Sequence, residues 1–258
     1  MFSIYSDAPT VSVIGITQPV TVGFDEYFIQ RDRVWGRDDP YTSESIAVFA
    51  GAICYDSFHN PAHRTDEEYL QQQIVGNSHQ SVIEHVVINF ALAHLPRSTQ
   101  LELIRHRVGT GFSFRSQRFT DDWLEYVEPP LYREQSNIFR EAFYSRCRLN
   151  YDNYQNVLAT LDVASLGDDV GRTLRRKRVK EAARAELPNE IGSDGVLSLN
   201  ARALRHILKM RSDEHAEAGI REFTYSLYKA ALPLIPAILA DVREEAVDFG
   251  APRLVLGA

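Results

Sequence analysis

Between Arg105 and Arg118 the chain carries four arginines, a histidine, two glycines and three hydroxyl side chains in fourteen residues. Arginine stays charged at every relevant pH, and its planar fork matches phosphate and carboxylate oxygens two at a time. Gly109 and Gly111 between those arginines let backbone N–H groups come close to a ligand. That chemistry suits a polyanionic, heterocyclic ligand. A solvated basic helix end followed by a hairpin satisfies the same residues, so this stretch alone leaves both readings open.

Three further constellations bear on the choice. In the run Leu199–Arg211, Leu204, Ile207 and Leu208 repeat at helical spacing and form a core face. Asn200, His206 and Arg211 cannot all share that stripe and must point sideways or toward a partner. Arg184 lies among the small residues Ala182, Ala183 and Ala185, which permit close approach by another group. His79, Ser81, Glu84 and His85 form a compact polar group upstream.

The elements that position these residues can be sketched from patterning. Residues 1–40 read as irregular apart from a strand over Val11–Thr17, an arm or edge element against the main body. A helix is expected from Ser43 to about Tyr55 with Ile46, Phe49, Ala50 and Ile53 facing inward. Thr65 and Glu68 form a capping box for another, and Ser81 opens a further helical segment. Val86, Ile88, Phe90 and Leu92 alternate as in a half-buried strand. Pro96 begins a helix that turns Leu101 and Ile104 inward and delivers Arg105 and Arg107 at its end. Phe112–Thr120 is expected to be extended. Long helices follow over Asn137–Leu161 and Gly171–Glu186, and a loop around Pro188–Gly195 leads to a helix from about Leu199. That helix pauses near Ser212 and resumes over His215–Leu232.

The totals narrow the function classes. The 258 residues carry a formal charge of −7, so the molecule as a whole repels nucleic acid and acidic membranes, and an anion must be captured by local arginines. Cys54 and Cys147 are far apart and show no metal or redox spacing. There is no basic, apolar leader and no long apolar span, so a cytoplasmic protein with no membrane partner is expected.

Arg105-His106-Arg107 followed by Ser116-Gln117-Arg118 resembles the signature of the flavin-dependent thymidylate synthases, the ThyX family. Ser78–His85 resembles that family's His-x-Ser/Thr-x-x-Glu-His segment. Glu181–Arg184 before Leu187-Pro188, Asn200–Arg202 and Arg211–Ala216 follow in the family's order. The resemblance spans about residues 43–240. It implies an α+β fold: one ThyX-like domain over residues 1–258, with 1–42 as an extension or arm, a small antiparallel sheet and long helices. It also implies a homotetramer with shared active sites.

By position, the resemblance assigns flavin contacts to Ser81, Arg105, His106, Arg107, Asn200, Arg202 and His206. It assigns dUMP contacts to Glu102, Arg105, Arg115, Ser116, Gln117, Arg118 and Arg184, and places Arg211 by the uracil as the catalytic cation. FAD is the implied cofactor, with NADPH and 5,10-methylenetetrahydrofolate as co-substrates, dTMP and tetrahydrofolate as products, and no metal. A reduced flavin supplies the hydride, so no cysteine nucleophile is required, and Ser116 reads as an orienting hydrogen bonder.

Some positions depart from the family pattern. Eight residues, Val108–Arg115, separate Arg107 from Ser116 where seven are usual. Glu102 stands where the family has Gln, and an ionised Glu can only accept; it is expected either to pair with Arg105 or Arg115, or to leave the amide's role to Gln100. Glu217 and Gly219 replace the usual Gln and Glu. Other readings weighed against the resemblance are a nucleic-acid binder using Arg105–Arg118 and the run Arg172–Arg178, a metal site built on His79, Glu84 and His85, and a flavin-binding relative without methyl transfer.

Overall fold

The structure is a computed structural model that describes residues 1–33, 35, 41–59, 65–119, 124–164 and 171–257. In chain order its elements are β1 Phe2–Tyr5, β2 Thr10–Ile16, α1 Thr21–Gln30, α2 Ser43–Cys54, α3 Asp66–Gln71, β3 Val87–Pro96, α4 Arg97–Leu103, β4 Thr110–Phe114 and β5 Leu124–Val127. There follow α5 Pro130–Arg133, α6 Asn137–Ala164, α7 Arg172–Ala183, β6 Gly192–Asn200, α8 Ala201–Arg211, α9 Ala218–Ala231, β7 Arg243–Glu245 and β8 Arg253–Val255.

Four strands form an antiparallel sheet in the order β2-β3-β6-β4. Along β3, Ile88, Phe90 and Leu92 alternate into the core as their spacing predicts. Val87 faces Asn200 and Phe90 faces Leu197, while Thr110 faces Leu199 and Phe114 faces Gly195. Helices α2, α3, α8 and α9 supply much of the rest of the main core. Leu204, Ile207 and Leu208 of α8 are fully buried, each contributing about 1.5–3 kcal/mol.

A second, smaller core lies where β1 pairs in parallel with β5 and packs against α6 and α7. It contains Tyr126, Phe143, Cys147 and Ala183. Burial pushes the Cys147 thiol up to about 12.

Several expectations from patterning are corrected. The amino-terminal segment is not irregular: β1 and α1 are regular elements, and β2 is the edge strand that the patterning suggested. Residues 192–200 form strand β6, whereas turn-like Ser193, Asp194 and Gly195 read as a loop. In α2 the fully buried face is Ala47, Val48 and Gly51, because the Tyr69 hydroxyl packs on Gly51; Ile46, Phe49 and Ala50 are half-buried and Ile53 is exposed. In α4, Thr99, Gln100 and Leu103 turn inward, Gln100 donating to the Leu95 carbonyl at 2.9 Å. Leu101 and Ile104 are 47% and 42% exposed. The extended segment from Phe112 ends at Phe114, and a turn over Ser116–Phe119 follows. Thr120 lies outside the described residues.

Candidate active site

The Arg105-His106-Arg107 run follows α4 in a tight turn, with His106 N donating to the Leu103 carbonyl at 3.0 Å. The Thr110 hydroxyl closes the turn on the His106 carbonyl at 2.6 Å. Gly109 has φ +70°, and a Cβ there would overlap the Asn200 amide, so only glycine fits without strain. Its carbonyl accepts from Asn200 N at 2.9 Å, which ties the turn to the start of α8.

Asn200 is the N-cap of α8, its Oδ1 accepting from Ala203 N at 2.8 Å. The amide N–H groups and dipole of such a helix start favour an anion. Beside it, Arg202 pairs with Glu84 at 2.5 Å, which brings the Gln80–His85 helical turn and its exposed Ser81 against α8. His206, one turn beyond Arg202, lies edge-on to His106 with ring centroids 5.5 Å apart. Arg105 and Arg107 are exposed. The seven residues assigned to the flavin nucleotide thus come from three segments that meet at the amino-terminal half of α8.

At the other end of α8, Arg211 is held on two sides. Its Nε donates to His106 Nε2 at 2.9 Å, its Nη1 to Glu102 Oε2 at 2.6 Å, and its Nη2 to the Glu102 carbonyl at 3.3 Å. Of five guanidinium N–H groups, two remain for a ligand. Glu102 therefore pairs with Arg211, not with Arg105 or Arg115. Desolvation, with the Arg211 and His206 charges, holds His106 below the ordinary imidazole range. His106 is then neutral, and since Nε2 accepts, its proton sits on Nδ1.

The remaining candidates form a second group. Arg115 N donates to the Asp194 carbonyl at 2.9 Å, and Arg118 N donates to the Ser116 hydroxyl at 3.3 Å. Arg118 pairs with Glu181 at 2.9 Å, and the Lys177 ammonium stands 4.9 Å from the Phe119 ring centroid. These contacts dock the half-buried Ser116-Gln117-Arg118 turn on α7. Arg184, at the carboxyl end of α7, is exposed. Residues Val108–Arg115, longer than the family pattern, are mostly strand β4 and not a loop. That strand sets the second group about 14 Å along the sheet from the first, at roughly 3.4 Å per residue.

Sequence reasoning passed over Glu84 and Glu181 as partners of Arg202 and Arg118; opposite charges in the motif segments were their only signal. Cys54, far from the arginine blocks in sequence, lines an open groove of about 410 Å³ with Ile46, Phe49, Ile53, Ser81 and His85. His79 accepts or donates at 2.7 Å to the Tyr55 hydroxyl.

A family profile described as "Thymidylate synthase complementing protein" matches residues 39–237. The chain is 34% identical over 211 residues to a flavin-dependent thymidylate synthase of Mycobacterium marinum, covering 79% of this chain and 83% of that one. The chain belongs to the flavin-dependent thymidylate synthase family. Another relative with that name, from Mycobacterium sp. (strain KMS), is 34% identical over 221 residues, 84% of this chain and 86% of its own. Among solved structures, a UMP/dUMP methylase PolB from Streptomyces cacaoi, bound with 5-Br UMP, superposes with a TM-score of 0.64. It is 18% identical, with 92% of this chain and 95% of that one covered, and shows that the fold is shared. No helix among the described residues is long and apolar enough to cross a membrane.

Proposed function

We propose that this chain catalyses the reductive methylation of dUMP to dTMP, with FAD as cofactor, 5,10-methylenetetrahydrofolate as carbon donor and NADPH as reductant. The observation that carries the reading is the Arg211–His106–Glu102 network: through His106 it joins a guanidinium with two unspent N–H groups, at the carboxyl end of α8, to the anion-binding groups gathered at the amino-terminal half of that helix. The donor set fits FAD: Asn200 at the α8 start, with Arg202, His206, Arg105, Arg107, His106 and Ser81 around it, suits a dinucleotide carrying a pyrophosphate. When bound, that cofactor supplies hydride chemistry.

The chain's own residues bind, orient and stabilise. Arg184, Ser116, Gln117 and Arg118 hold dUMP, mainly through its phosphate and the polar edge of the base, with Arg105 and Arg115 contributing charge. Arg211 faces the uracil, where a preorganised cation stabilises negative charge on the ring by roughly 3–4 kcal/mol. Neutral His106 keeps Arg211 in place without competing for the anion. No protein nucleophile is needed, and Cys147 is buried in the second core.

A homotetramer accounts for two features. The dUMP residues lie in two groups at opposite ends of β4, and a second copy of the chain brings a complementary group to each. Leu101, Ile104 and Val108, flanking Arg105–Arg107, are exposed by 47%, 42% and 86%, as expected of subunit contacts. With these co-substrates the site acts in the cytoplasm.

The test is to purify the protein, record its visible spectrum, and assay dTMP formation from dUMP, methylenetetrahydrofolate and NADPH. A yellow protein that makes dTMP is the expected result. NADPH oxidation without dTMP would remove methyl transfer from the reading, and failure to take up FAD would overturn it.

A further inference from the structure

Residues 238–257 lie beyond the stretch that the family profile matches, yet they grip α8, the helix that ends on Arg211, at two points. Arg205 is buried, and its guanidinium donates to the Ile238 carbonyl at 2.8 Å and to the two Asp241 oxygens at 2.5 and 2.8 Å. Asp241 also accepts from Gly257 N at 2.8 Å, which folds the far end of the segment back onto its start. Seven residues along from Arg205, at the C-cap of α8, the fully buried Ser212 is held by β8. Its hydroxyl accepts from Leu254 N at 3.0 Å and donates to the Leu208 carbonyl at 2.6 Å, with the Leu254 carbonyl 3.2 Å away. β8 pairs with β7, where Glu244 accepts from the Tyr225 hydroxyl of α9 at 2.9 Å.

Two turns of an α-helix take just over seven residues, so Arg205 and Ser212 share one face of α8. Arg211 stands on the adjoining flank, toward the turn after α4. The last carbonyls of a helix have no partners within it, and the final turn is free to fray. Here that turn is pinned by the segment instead. A rotation of α8 by roughly 10° would carry a side-chain tip about 6 Å from the axis through about 1 Å. The Arg211 bond to His106 spans 2.9 Å, and a further 1 Å takes it out of hydrogen-bond reach.

We propose that Ser212 is a positioning residue for Arg211, and that through it the 238–257 segment sets the rotation at which α8 presents the guanidinium. The proposal rests on Arg211 being the cation that faces the pyrimidine. Ser212 itself touches no ligand: it fixes the last turn of α8, and His106 and Glu102 can then hold Arg211 from the other side. Loss of the hydroxyl leaves the buried Leu254 N–H without its acceptor, so β8 no longer has a reason to stay against the helix end.

The experiment uses the flavin-loaded protein, with kcat expressed per bound flavin. Ser212→Ala should lower kcat for dTMP roughly tenfold and leave the KM for dUMP within about twofold. In an Arg211→Ala background the same substitution should cost less than about twofold, since no guanidinium is left to orient. Glu244→Ala loosens the segment from α9 without touching α8 and should leave kcat unchanged. A readout independent of turnover is solvent exchange of the Arg211 Nε–H proton, assigned by its loss in Arg211→Ala; it should be about tenfold faster in Ser212→Ala. Should Ser212→Ala not fold, Ser212→Cys, whose thiol is a weak donor and acceptor, carries the same comparison with a smaller loss. An unchanged kcat, an unchanged exchange rate, a full loss in the Arg211→Ala background, or an equal loss in Glu244→Ala would each overturn the proposal. If none of these proteins makes dTMP, the functional reading fails separately, and the Nε–H exchange decides the role of Ser212.

Discussion

Arg211 and Arg184 stand at the carboxyl ends of two helices, α8 and α7, and the fold treats them in opposite ways. Arg211 has a side chain only 22% exposed, and all three of its nitrogens donate to His106 or Glu102. Arg184 is exposed at the start of a single 3-10 turn, with small alanines around it. The same contrast runs through their neighbourhoods. Around α8 the candidate residues are interlocked through Glu84–Arg202, His106–His206 and Asn200–Gly109, whereas the charge pair that docks the second group on α7, Arg118–Glu181, lies at the surface with both side chains more than a third open to water. A cation fixed in advance favours the rate step, because no reorganisation is needed when charge develops. A cation free to move favours capture, and must be ordered by its ligand or by a neighbouring copy.

Three substitutions would break or sharpen this contrast. The largest effect is expected from Arg211→Ala: kcat for dTMP should fall by about 100- to 1,000-fold, while dUMP binding changes less. Unimpaired turnover would remove Arg211 from the chemistry. Arg184→Ala should act on binding instead, weakening dUMP by roughly 10- to 100-fold through lost charge-assisted hydrogen bonds. The melting temperature should stay unchanged because the side chain is exposed. Isothermal titration reads the first quantity and calorimetry the second, and an unweakened affinity would refute the phosphate role. The smallest effect is expected from Gly109→Ala. Strain at positive φ, with the overlap against Asn200, should cost about 1–3 kcal/mol of stability. Release of bound flavin should accelerate accordingly. A variant that keeps both its melting temperature and its flavin would show that this turn does not position the interlocked group.

How much was legible in the sequence depended on whether a residue's role was local. The capping box at Thr65–Glu68, the alternation of β3 and the buried stripe of α8 follow from spacing alone, and each forms as expected. The ordered arginine blocks were enough to point to the family. What could not be read was pairing at a distance. Glu102 was expected to pair with Arg105 or Arg115, yet its partner is Arg211, 109 residues away, because α8 folds back on the turn after α4. Ile46, Phe49 and Ile53 looked like a core face because they are large and apolar. The core took the small face of α2, Ala47 and Gly51, where Tyr69 needs room. β6 was missed because Gly192, Ser193, Asp194 and Gly195 have turn chemistry, and only its central position in the sheet makes it a strand.

That central strand also sets the order in which the molecule can be built. β3 can pair with β2 at once, but its second neighbour exists only when residues more than a hundred positions later have been synthesised, with Val87 waiting for Asn200. β4 waits for the same strand, since Thr110 pairs with Leu199. Until then an apolar strand leaves the ribosome with one edge unpaired, the kind of surface that chaperones bind and that aggregates when they do not. Asn200, the last residue of β6, is also the cap of α8. Pairing of the sheet and assembly of the ligand-binding helix start are therefore one late folding event, and a nascent chain that stops short of it holds the arginines without the site.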